Sequence, residues 1–180
     1  DIGSLATFTV GGLVASNAGG LYVFRYGAMR AQVVGVEAVL GTGKVVSRLA
    51  GLVKDNTGYD LAQLLCGSEG TLGIVTAARL RLVPPPAHVV TALVAVASIE
   101  SAVSLAGELR RALPDVLALE LMTGPSLRLV AEFLDATPPV AADAAAFLLV
   151  EVGGPADTLD ALAAAVEAGE GVLDAAVATE

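Results

Sequence analysis

Pro84, Pro85 and Pro86 stand in a row near the middle of this 180-residue chain. Proline has no N–H to give and its ring fixes φ, so three together cannot continue a strand ladder and form a stiff extended connector. The chain is therefore read as two parts, residues 1–86 and 87–180. The hydrophobic pattern changes at the prolines. A chain of this length suffices for one ordinary domain or two small ones.

The second part reads as a regular alternation. Residues 88–97 (HVVTALVAVA) predict a strand and 99–112 an amphipathic helix with Glu100, Glu108, Arg110 and Arg111 on its wet side. Residues 116–122 predict a strand, 124–134 a helix, 145–152 a strand, 156–168 an Ala-rich helix and 172–178 a last strand. With the helix at 124–134 set aside, the order is β-α-β-β-α-β, the split βαβ arrangement.

The first part is built around glycine. TVGGLVASNAGG, Thr9 to Gly20, holds two glycine pairs, and residues 10–18 between them predict a short helix. Glycines at a helix start leave the unpaired N–H groups open to an anion, so Gly11-Gly12 suits a phosphate or pyrophosphate. Gly19-Gly20 suits a helix C-cap as well as a ligand. Asn17 suits a cap or a hydrogen bond to a ligand. Residues 33–40, a turn at Gly41 to Lys44 and Val45-Val46 predict a hairpin. Asn56-Thr57-Gly58 predicts a turn, and Tyr59 to Leu65 a short helix ending near Gly67. Residues 73–83 alternate as a strand with Ala78, Leu80 and Leu82 on one face and Arg79 and Arg81 on the other. The loop before it, GSEGTLG, is followed by a strand and lacks Gly-Lys-Ser/Thr, so it is neither a dinucleotide fingerprint nor a Walker loop. Glu69 within it suits a solvated loop or a ligand contact.

Charge and composition exclude other classes. Residues 1–100 carry seven Lys/Arg against six Asp/Glu, and residues 101–180 three against thirteen. There is no basic stripe with interleaved aromatics, so no nucleic-acid partner is expected. No apolar run reaches the ~18 residues that span a bilayer, and no secretory pattern opens the chain. A soluble, cytoplasmic protein is expected, in keeping with a single cysteine. The opening Asp1-Ile2-Gly3-Ser4 has no initiator Met, so a piece of a longer protein is expected. His88 is the only histidine, which leaves no Ser-His-Asp arrangement. No His/Cys/Asp cluster has metal-ligand spacing, and Cys66 reads as a small buried hydrophobe. Chemistry carried by a cofactor laid on glycine-rich backbone is better supported than chemistry by the chain's own side chains.

Four segments together resemble a known family. TVGGLVASNAGG, then RYG at Arg25 to Gly27, KDNTGYDL at Lys54 to Leu61 and GSEGTLGIVT at Gly67 to Thr76 have the order and spacing of the FAD-linked oxidases of the vanillyl-alcohol oxidase type. The KDNTGYDL run favours the branch of FAD-dependent D-2-hydroxyacid dehydrogenases, acting on 2-hydroxyglutarate, lactate or glycolate. The likeness is strong over residues 1–86 and continues more loosely through ELM at Glu120 to Met122 and LLVEV at Leu148 to Val152.

The resemblance implies an α+β protein. Residues 1–86 would be the second FAD-binding subdomain, an antiparallel sheet with helices. Residues 87–180 would begin a ferredoxin-like substrate or cap domain. Thr9, Gly11, Gly12, Asn17, Ala18, Gly19, Gly20 and Gly27 would lie along the flavin and its pyrophosphate, with Glu69, Gly70 and Ile74 on the other side. FAD would be non-covalent and would accept a hydride from C2 of a 2-hydroxy acid. A quinone, a cytochrome or an electron-transfer flavoprotein would take the electrons. The family's first FAD subdomain, its His-rich metal motif and its substrate-gripping basic residues are absent from this chain, so no catalytic residue is named. Ligands for a divalent metal would lie outside it, an oligomer is compatible, and the chain alone would be inactive. The rival readings are an FAD oxidase of a sugar, alcohol or phenol on the same fold, and a flavin-free structural subunit.

Overall fold

The computed structural model describes residues 5–52 and 54–179. It divides into two compact units, Asp1–Pro84 and Pro85–Glu180.

In the first unit a three-stranded antiparallel sheet has the order β2-β1-β3, with β1 at Val33–Leu40, β2 at Val45–Arg48 and β3 at Gly73–Leu80. Helices α1 (Val10–Ser16) and α4 (Leu61–Leu65) cover one face, and one-turn helices α2 (Val23–Tyr26) and α3 (Met29–Gln32) lead into β1. The core is Val14 of α1, Val33, Val36 and Ala38 of β1, Ala62 and Leu65 of α4, and Cys66. The hairpin forms as expected: Val39 pairs with Val45, and Gly43 takes the positive φ of 78° that the tight turn requires.

Three details differ from the sequence expectation. Helix α1 ends at Ser16 rather than residue 18, because Asn17 turns left-handed at φ 50°. Asn17, not the Gly19-Gly20 pair, therefore caps the helix. The strand expected over 73–83 stops at Leu80, and Leu82 is 88% exposed. The periodicity of Ala78, Leu80 and Leu82 continues past the end of the partner strand: β1 begins at Val33, which pairs with Leu80. The two helical turns α2 and α3 carried no sequence signal, being too short to show a period.

In the second unit the strands are β4 (His88–Val96), β5 (Val116–Thr123), β6 (Ala146–Gly154) and β7 (Val172–Thr179), and the helices are α5 (Ile99–Ala112), α6 (Gly124–Phe133) and α7 (Thr158–Glu167). The sheet order is β5-β6-β4-β7, antiparallel throughout, with β4 and β6 in the centre. This is the ferredoxin-like order, with α6 as the extra helix between β5 and β6. Helix α5 starts at Ser98, whose side chain accepts the Ser101 N–H at 3.1 Å, and carries Arg110 and Arg111 in its last turn. Its stripe of Ala102, Leu105 and Leu109 meets Val90, Val94, Leu148 and Val150 of the sheet and Leu162 and Val166 of α7. The opposite face holds a smaller cluster of Ala95, Phe147, Val140 and Ala144, packed with Leu127 of α6.

Leu105 is 1% exposed at the helix-sheet interface. Leu105→Ala is expected to lower the unfolding free energy by about 2–5 kcal/mol. Urea unfolding checks this, with the exposed Val103→Ala of the same helix as a control that shifts the midpoint little.

Candidate functional site

The two glycine-rich segments, far apart in sequence, meet in the first unit. Helix α1 is only seven residues long; the cap amides of Asn17 and Ala18 meet Val14 O at 3.2 Å and Leu13 O at 3.0 Å, and the remaining carbonyl capacity of its last turn lies open. The loop after α4 supplies partners: Gly67 N–H donates to Val14 O at 3.0 Å and Glu69 N–H to Ala15 O at 2.9 Å. Asn17 stands at the junction. Its left-handed backbone ends the helix, and its Oδ1 accepts the Arg30 N–H at 2.8 Å. The Arg30 guanidinium in turn donates to the carbonyls of Gln63 and Cys66, and Gln63 Nε2 donates back to Arg30 O and Val33 O at 3.2 Å each. One polar knot thus ties α1, α3, α4 and the GSEG loop together. Neither Arg30 nor Gln63 carried a sequence signal.

The glycines separate by role. The N-cap Thr9 accepts the Gly12 N–H on its Oγ1 at 3.0 Å, so this donor is already engaged within the chain. A Cβ on Gly12 would stand 3.1 Å from that Oγ1, and one on Gly19 2.5 Å from Val23 Cγ2. Gly27 and Gly70 have φ of 77° and 81°. Those residues have reasons inside the chain to be glycine. Gly11 does not: among the described residues a Cβ there would meet nothing within 4 Å. Glycine within a helix costs about 1 kcal/mol relative to alanine, so a bare Gly11 is unexplained by packing and suits a surface laid against it. Glu69 is the reverse case. It is exposed and left-handed at φ 48°, where glycine is cheaper, yet it keeps a carboxylate. Ile74, 64% exposed on β3, offers an apolar side chain beyond the same loop.

Next to α1 lies an apolar groove of about 420 Å³. Ala18, Gly19, Gly20 and Gly27 line it among the expected site residues. Its aromatic part is Tyr22 and Tyr26, set edge to face with ring centroids 6.4 Å apart. Thr9, Gly11, Gly12, Asn17, Glu69, Gly70 and Ile74 do not line it.

A second cavity, about 320 Å³, is polar and is lined in part by Asp55, Gly58, Tyr59 and Asp60 of the KDNTGYDL segment. Arg48 holds that loop: its guanidinium donates to Thr57 O at 2.9 and 3.0 Å and to Tyr59 O at 2.9 Å, and pairs with Asp55 at 3.3 Å. Arg79 holds the preceding turn through Leu49 O and Ala50 O at 3.2 and 2.6 Å. Among the described residues no group of His, Cys, Asp and Glu is placed to hold a metal ion. No helix among them is long and apolar enough to cross a membrane.

An apolar and aromatic groove edged by bare backbone fits one side of a flat ring system such as a flavin. Residues 1–48 match the family described as FAD binding domain, and residues 85–180 match FAD linked oxidases, C-terminal domain. The chain belongs to the FAD-linked oxidases. It is 40% identical over 162 residues to the mitochondrial D-2-hydroxyglutarate dehydrogenase of Bos taurus, covering 89% of this chain and 30% of that protein. It is 37% identical over 160 residues to glycolate oxidase subunit GlcD of Bacillus subtilis, covering 89% and 34%. A solved alkyldihydroxyacetonephosphate synthase shares the fold at a TM-score of 0.65 and 20% identity, covering 88% of this chain and 31% of that one. The chain thus spans about a third of the length of these relatives. The cofactor of this family of oxidases is FAD.

Two titratable groups in this FAD-linked oxidase chain are shifted for clear physical reasons. The Thr57 N–H, bonded to Asp55 Oδ1 at 3.0 Å, holds the Asp55 carboxyl below the usual carboxylate range, and the Thr57 side chain and Arg48 act the same way. Burial pushes the Cys66 thiol up, against a smaller opposite pull from Arg30, so Cys66 is a poor nucleophile. Because the Asp55 pKa is depressed on folding, its contribution is present above the unfolded value of 3.8 and is lost as pH falls through the lower folded value. The Thr57 amide resonance is expected to hold its folded position at pH 5 and to move only as pH falls below 3.8. Asp55→Asn should abolish the titration. Cys66 is expected to react with a thiol reagent at neutral pH only after denaturation.

Proposed function

We propose that this chain supplies one wall of the flavin site and the start of the substrate domain in an FAD-dependent dehydrogenase of D-2-hydroxy acids. The substrate class is that of 2-hydroxyglutarate, lactate and glycolate, in line with the names of the relatives. The observation that carries the reading is the junction of the two glycine segments beside an apolar groove. On this reading residues 1–86 act as part of the FAD-binding domain and 87–180 as the start of the substrate domain.

When bound, FAD supplies the hydride acceptor for C2 of the substrate. The residues of this chain orient it. Ala18, Gly19, Gly20 and Gly27 offer backbone and small side chains to the ring system. Thr9, Gly11, Gly12 and Asn17 form the edge of that wall, with Gly11 leaving room for close approach. Glu69, Gly70 and Ile74 make the facing loop, where the retained carboxylate of Glu69 is available to a hydroxyl of the cofactor. Residues beyond this chain are proposed to grip the substrate carboxylate and hold any divalent metal. The electrons leave to a quinone, a cytochrome or an electron-transfer flavoprotein. The chain alone does not turn over. The cytoplasm is the proposed location, with the mitochondrion the alternative that the bovine relative's name raises.

The left-handed backbone of Glu69 allows a decisive variant. Glu69→Gly relieves the strained conformation, so the melting temperature is expected to stay level or rise slightly. FAD affinity of the full reading frame, followed by flavin fluorescence, is expected to fall about tenfold. Unchanged affinity would remove Glu69 from the site. Failure of the full reading frame to bind FAD at all, or to reduce it with D-2-hydroxy acids, would overturn the function.

A further inference from the structure

We propose that Arg81 anchors an anionic phosphate of the flavin nucleotide seated in the apolar groove, and so selects nucleotides over uncharged flavin. The inference rests on the flavoprotein reading and adds to it a residue that none of the four motif segments contains.

Arg81 follows the end of β3 and lines the groove together with Leu82 and Val83. Among the described residues it is the only charged one of that lining. The other walls are aliphatic, aromatic, glycine or the neutral Gln32, whose Nε2 is already bonded to Tyr26 O. The groove therefore has one sign of charge at one place. Low-polarity walls around a lone cation strengthen its pull on an anion.

The comparison with neighbouring arginines sharpens the point. Arg30 directs its guanidinium onto carbonyls of α4 and its C-cap, and Arg48 and Arg79 theirs onto loop carbonyls, so all three hold the fold of the unit. Arg81 contributes only its backbone: its N–H donates to Gln32 O at 2.8 Å. Among the described residues no hydrogen-bond acceptor or carboxylate pairs with its guanidinium. It is exposed, so its long side chain is not needed for packing. A guanidinium with five donors, beside a groove and without an internal partner, matches phosphate oxygens in number and geometry. A small 2-hydroxy acid is a poorer occupant, because it has no apolar ring to fill a groove of about 420 Å³.

The test uses the full-length protein and three probes: FAD, riboflavin 5′-phosphate and riboflavin. Affinities are measured by fluorescence at low and at moderate salt for the wild type, Arg81→Ala and Arg81→Lys. Arg81→Ala is expected to weaken FAD and riboflavin 5′-phosphate about tenfold while leaving riboflavin unchanged. Arg81→Lys should recover part of the loss, and the salt dependence of FAD binding should flatten in Arg81→Ala. Melting temperatures in the absence of flavin should match, since the Arg81 N–H bond survives both substitutions. Equal weakening of all three probes, or of none, overturns the role of Arg81 while the flavoprotein reading stands. A changed KM for the 2-hydroxy acid with unchanged flavin affinities would move the contact to a substrate carboxylate and likewise overturn it. If no flavin binds the wild type, the flavoprotein reading fails first.

Discussion

The last carbonyls of α1 need partners, and the way they are met holds the first unit together. A seven-residue helix is far below the length at which a helix is stable alone. Its stability comes from Val14, fully buried against the sheet, and from the Gly67 and Glu69 amides that reach Val14 O and Ala15 O. Each such bond contributes about 0.5–1.5 kcal/mol net, and at Val14 O the Gly67 N–H adds to the cap bond from Asn17 N–H. The GSEG loop is thereby fixed to the end of the helix. Arg30 and Gln63 fix α4 and α3 to the same point, so the surfaces beside α1 share one support.

The regular elements were largely legible because their pattern was local. Val90, Ala92, Val94 and Val96 alternate inward along β4, and Ala102, Leu105 and Leu109 recur at helical spacing on α5, so strand and helix could be read without tertiary knowledge. The split βαβ order then limited the sheet to few arrangements. The misreadings fell where tertiary contacts overrule local pattern. Leu82 continues the alternation of β3, yet the partner strand has already begun at Val33 and no ladder remains to extend it. Asn17 took the cap that the following glycines seemed made for, because its side chain gains the Arg30 N–H there and glycine has none to offer.

The site was legible as two motifs and illegible as an arrangement. Glycine spacing marks where bare backbone is wanted, and a family resemblance links the segments, but neither says which carbonyl meets which amide. The arginines were invisible for a physical reason. Arg30 bonds the carbonyls of Gln63 and Cys66, and Arg48 those of Thr57 and Tyr59. Every residue has a carbonyl, so an arginine aimed at backbone leaves no complementary residue type for a reader to find. Only Arg48 with Asp55 left such a trace, and that ion pair lies at the surface where its worth is small.

Costs left uncompensated within the chain are the best guide to function here. Gly12, Gly19 and Gly27 are explained by close contact or by φ, and Asn17 offsets its left-handed backbone with a hydrogen bond to Arg30. Glu69 has its amide bonded to Ala15 O, but that bond would form equally well with glycine in its place. Its carboxylate gains nothing from the strain. Gly11 forfeits helix propensity for a space that no described residue fills. A sequence consistent at every level would have exchanged these two residues for a glycine and an alanine. Gly11 lies in the first turn of α1 and Glu69 on the loop bonded to its last turn, so the two departures sit at opposite ends of one short helix rather than in the core of the unit.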